Sequence, residues 1–87
     1  MSFTVVWNPS AESQLAEIWL NSNDRAGISN AVNEIDKELR RAPVLLGESR
    51  SGGRRIVITR QLVVFFRVDE ADRVVRVFSV RTIEKDQ

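Results

Sequence analysis

The spacing of apolar residues changes at Pro43, and that change constrains the fold more than any other feature of the chain. Before it, Ala11, Leu15, Ile18 and Trp19 fall at i, i+4, i+7 and i+8, one face of a helix. Ile28, Ala31, Val32, Ile35 and Leu39 form a second helical stripe between Arg25 and Arg41, with Glu34, Asp36, Lys37, Glu38 and Arg40 on the opposite side. Asn8 is placed to cap the first helix and Pro9 to open it, where its missing N–H costs least. The polar run Asn21-Ser22-Asn23-Asp24 separates the two, so the pair reads as a helical hairpin. Pro43 ends the second helix, with Arg40 and Arg41 at its negative pole.

After the Ser51-Gly52-Gly53 loop the repeat becomes two, and three strands are expected at Arg54–Thr59, Leu62–Asp69 and Arg73–Arg81. Glu70-Ala71-Asp72 turns the last two into an antiparallel hairpin. Leu62, Val64, Phe66 and Val68 share one face and Val63, Phe65 and Arg67 the other, so a strand apolar on both sides belongs in the middle of the sheet. Phe3-Thr4-Val5-Val6-Trp7 supplies a first strand. The order β-α-α-β-β-β describes a single α+β domain over 1–87: an N-terminal strand, then an antiparallel helical hairpin packed on a small twisted antiparallel sheet.

A chain of 87 residues without cysteine has no disulfide or thiolate metal site to supplement its core. Histidine and tyrosine are also absent, which excludes an imidazole base, a Ser-His-Asp triad and a phenolic acid. No metal or cofactor is expected, and no apolar run approaches the roughly 20 residues of a membrane span. A cytoplasmic location is the expectation. The net charge of +1 hides a division: residues 1–46 carry −2 and residues 47–87 carry +3.

That basic half is built from arginine. Arg50, Arg54, Arg55, Arg60 and Arg67 occur with no acidic residue among them, on segments that read as strand. Guanidinium groups at strand spacing must line an exposed face or rim, because burying one unpaired is too costly. Arg50, Arg54, Arg55 and Arg67 are the candidate contacts to an anionic target, either nucleic acid or an acidic protein segment. If the face is catalytic, Glu48 is the candidate base, with Arg54, Arg60 and Arg81 stabilising charge on a phosphate. Arginine gives up a proton too reluctantly to serve as the matching acid. Trp7 and Trp19 are expected in the core, and Phe65 is the better candidate for an exposed aromatic.

Several motifs resemble the RelE/ParE toxin superfamily: Val5-Val6-Trp7-Asn8-Pro9, Leu15, Ile18-Trp19, Ile35 with Leu39, Pro43 and Gly47, Gly53-Arg54-Arg55, Leu62–Asp69 and Val75–Arg81. The resemblance covers nearly the whole chain. It implies the toxin of a type II toxin–antitoxin pair, inhibiting growth and neutralised by a cognate antitoxin wrapped around it. RelE-like members bind messenger RNA on a basic sheet concavity and cleave it on the ribosome. ParE-like members poison DNA gyrase by binding. Arg54 and Arg55 match the RelE-like basic strands, but Gln61 or Leu62 stands where an arginine belongs, and Thr82-Ile83-Glu84 comes after Arg81 without tyrosine or histidine. The implied function therefore leans to a ParE-like gyrase poison. A ribosome-dependent endoribonuclease and a non-toxic protein-binding relative are the alternatives.

Overall fold

A computed structural model describes residues 2–45, 48–49, 53–59 and 61–83. Strand β1 (Thr4–Trp7) leads into helix α1 (Pro9–Asn21) and helix α2 (Arg25–Arg41), and then into a 3₁₀ turn over Pro43–Leu45. The remaining strands are β2 (Glu48–Ser49), β3 (Arg54–Ile58), β4 (Leu62–Asp69) and β5 (Val74–Thr82). They form one sheet in the order β1-β5-β4-β3-β2, so β4 is central, as its two apolar faces require. The α+β class holds, with two refinements, the first being the short edge strand β2 ahead of the three expected strands. β1 runs parallel to β5, because the hairpin α1–α2 carries the chain back across the sheet before the antiparallel strands begin.

Both helices cover one face. Leu62, Val64 and Phe66 of β4 and Val75, Val77 and Val80 of β5 are buried there beneath Ala11, Ile28, Ile35 and Leu39. Val77 and Val80 are three apart, which strict alternation forbids. A bulge opposite Phe65/Phe66 inserts one extra residue in β5 and reverses the parity of the residues beyond it.

The outer edge of β5 is closed in two ways. β1 pairs with it as far as Trp7 and Val77. Beyond that point α1 takes over: the Asn8 N–H donates to the Val77 carbonyl at 2.9 Å, and Gln14 Oε1 accepts from the Val80 N–H at 2.8 Å. Asn8 accordingly makes no side-chain cap to α1, contrary to the sequence expectation, because its backbone extends the strand ladder. α1 has no basic residue in its last turn, and Arg25 compensates from the next helix. Its Nε and Nη2 donate to the carbonyls of Trp19 and Leu20 at 3.1 and 2.9 Å.

Asp24 joins α2 to the sheet. Its Oδ1 accepts from the Gly27 N–H at 3.0 Å, capping the helix, and its Oδ2 accepts from Gln61 Nε2 at 3.0 Å. Trp7 is half-buried against the core, with Nε1 donating to Asp36 at 3.4 Å. Trp19 departs from expectation. It is 38% exposed, because it sits where the apolar stripe of α1 turns out of the helix–sheet interface.

Candidate functional site: the open sheet face

The face of the sheet turned away from the helices is set by register. Arg54 of β3 pairs with Arg67 of β4, and Arg67 pairs with Arg76 of β5, so three arginines stand in one row across three strands. Paired residues project to the same side. The next rows contribute Ile56 opposite Phe65 and Ile58 opposite Val63, and Val63 is paired with Arg81. All four arginines are exposed, whereas Phe65 and Phe78 are half-buried. The bulge places Phe78 beside Phe65, with ring centroids 6.2 Å apart and planes tilted by 43°. The Arg67 guanidinium lies 5.9 Å from the Phe78 centroid, and that of Arg81 lies 5.6 Å from Phe65. Cation, ring, ring and cation thus form a diagonal ladder over β4 and β5.

Among the described residues, the charge of three of these four arginines is not compensated by an ion pair. Arg67, Arg76 and Arg81 make no ion pair with any described carboxylate, and the Arg40–Asp36 and Arg41–Glu38 pairs lie on α2. Asp69, on the same side of β4, turns Oδ1 to the Asp72 N–H at 3.1 Å and so serves the β4–β5 turn. The face therefore offers forked donors framing an aliphatic and aromatic floor, suited to a ligand with oxyanions on one side and apolar or π surface on the other. The chain has no histidine, cysteine or tyrosine, so no imidazole, thiol or phenol stands on this face. Among the described residues no cluster of carboxylates could hold a metal.

The structure brings only some of the sequence-derived candidates together. Arg54, Arg67 and Arg81 share the open face. Arg55 is paired with Phe66 and so belongs to the opposite, helix-covered side, as strand alternation dictates for a residue adjacent to Arg54. Glu48 lies in β2 with its backbone opposite Ile56, and its side chain is outside the described residues, as are Arg50 and Arg60 altogether. Arg76 was missed by sequence reasoning. Its signal was its place between Val75 and Val77, which alternation buries.

The match to known proteins covers almost all of the chain. Residues 5–86 match the family model described as the ParE toxin of type II toxin–antitoxin systems, parDE. No curated protein matches. The RelBE2 toxin–antitoxin complex from Mycobacterium tuberculosis contains a similar chain at 19% identity and TM-score 0.78, covering 95% of this chain and all of that one. A chain of the chromosomal ParDE system of P. aeruginosa is 20% identical with TM-score 0.69, covering 94% and 97%. The isolated E. coli RelE toxin is 12% identical with TM-score 0.69, covering 98% and 88%. At these identities the structures establish the shared fold, and the family assignment comes from the sequence model: this chain belongs to the ParE toxin family of type II toxin–antitoxin systems.

Proposed function

We propose that the protein arrests bacterial growth by binding its target through the open sheet face, as a ParE-like poison of DNA gyrase, and that a cognate antitoxin neutralises it in the cytoplasm. The observation that carries this reading is the exposed set Arg67, Arg76 and Arg81, which no described carboxylate neutralises, around Phe65 and Phe78. Leaving cations together on one face is destabilising, so their placement fits a surface shaped for a partner. The matched parDE family model and the toxin–antitoxin complexes among the structural neighbours support the antitoxin partner. Inhibition by binding needs no acid–base pair. No described helix is long and apolar enough to cross a membrane.

Induced expression without an antitoxin tests the first part: growth should stop, and healthy growth at confirmed soluble expression counts against toxicity. Purified protein added to gyrase should inhibit supercoiling. Intact supercoiling together with cleaved messages on ribosomes would instead select the ribonuclease reading, with Glu48 as base; unchanged growth with retained antitoxin binding would select the non-toxic module.

A further inference from the structure

The open sheet face is cationic at both ends and aliphatic between them. Arg67 and Arg76 stand in one row. Arg81 stands with Val63 in another, four residues away along β4, which is about 13 Å at strand spacing. Ile56, Ile58 and Val63 fill the floor, and Ile58 is 60% exposed. The two rings of this face are already engaged. Phe65 has Arg81 over it at 5.6 Å, Phe78 has Arg67 over it at 5.9 Å, and the rings lie 6.2 Å from each other.

We propose that this face takes a segment of gyrase protein, with carboxylates at its ends and aliphatic side chains between them, and leaves the DNA that gyrase holds untouched. The inference rests on the reading of the face as a gyrase-binding surface. Single-stranded nucleic acid binds such sheets by stacking bases on ring faces while its phosphates meet cations. Here both rings are half-buried, and a base would have to displace a guanidinium to stack. A duplex offers unbroken rows of phosphates, which match the arginines but set charge against Ile58 and Val63. A protein segment answers both features. Its end carboxylates accept forked bonds from Arg67 and Arg76 and from Arg81, and its aliphatic middle covers Ile58 and Val63. On a helix, acidic residues at i and i+8 span about 12 Å, with residue i+4 between them on the same side. The charges then fix register, and burial of the floor adds affinity that phosphate contacts lack.

Fluorescence anisotropy of the labelled chain, made by cell-free synthesis, tests this against gyrase A subunit, gyrase B subunit, a short DNA duplex and a single strand of the same sequence. One subunit should bind without DNA, and both DNA probes should bind about tenfold more weakly or worse. Ile58→Ser removes aliphatic surface at an exposed position without altering charge. With unchanged circular dichroism, it should weaken subunit binding about tenfold and leave DNA binding as it was. Supercoiling is measured beside these titrations. Inhibited supercoiling with DNA bound as tightly as either subunit, or with subunit binding indifferent to Ile58→Ser, overturns this inference and leaves the gyrase reading standing. Uninhibited supercoiling overturns that reading and the inference with it.

Discussion

Arg54 and Arg67 are direct partners across β3 and β4, and Arg67 is in turn the partner of Arg76 on β5. Arg67 and Arg76, like charges directly opposite on adjacent strands, oppose that pairing. Strand pairing here is held by the opposite face, where Val64, Phe66, Val75 and Val77 are fully buried.

Removing a charge from this row should separate stability from activity. Arg76→Gln is expected to leave the melting temperature unchanged or slightly higher while reducing growth arrest. Thermal denaturation beside a growth assay makes the check. A variant that stays fully toxic would show that Arg76 does not touch the target, and a large drop in melting temperature would assign it a structural role. Sulfate should stabilise the wild type more than the variant if the row collects oxyanions.

Phe66 should behave in the reverse way. It is the largest fully buried side chain among the described residues, and Phe66→Ala is expected to cost about 3–5 kcal/mol. That is a large share of the roughly 5–15 kcal/mol typical of a small domain. Urea denaturation should find the midpoint of the variant well below that of the wild type, and a midpoint near that of the wild type would contradict this picture of the core.

Gly27 allows Asp24 to bridge α2 and the β3–β4 turn. A Cβ at this position would fall within the Asp24 carboxylate and 2.8 Å from Gln61 Nε2. Gly27→Ala should therefore destabilise despite the better helix propensity of alanine, by about 1–2 kcal/mol, comparable with losing the cap through Asp24→Ala. A double-mutant cycle between Asp24 and Gln61 reads the bridge directly, and strict additivity would show that it contributes nothing.

Arg25 caps α1 from outside that helix. Arg25→Lys retains the charge but loses the fork that reaches two carbonyls at once, and should cost about 1 kcal/mol. Because the guanidinium also covers Trp19, the fluorescence of that indole should shift in the same variant. An unaltered spectrum and unaltered stability would remove both roles.

The fold was legible because its strongest signals are local. The stripe Ile28, Ile35, Leu39 and the alternation Leu62, Val64, Phe66 each need only their own element to be read, and both proved buried. The hairpin turn at Glu70-Ala71-Asp72 was equally local. Trp19 was misread because its periodicity matched the core stripe, whereas exposure depends on where α1 leaves the sheet.

Taken alone, the amino-acid order determined the helices, the strands, the central place of β4 and the concentration of arginine in the second half. Which arginines stand together was decided by tertiary structure. Register across β3, β4 and β5 aligned Arg54, Arg67 and Arg76, and the bulge beside Phe65 and Phe66 brought Phe78 to the open face while burying Val80. Alternation fixes a residue's side within its own strand, but a pairing offset and an inserted residue arise only when strands meet, so no single segment encodes them.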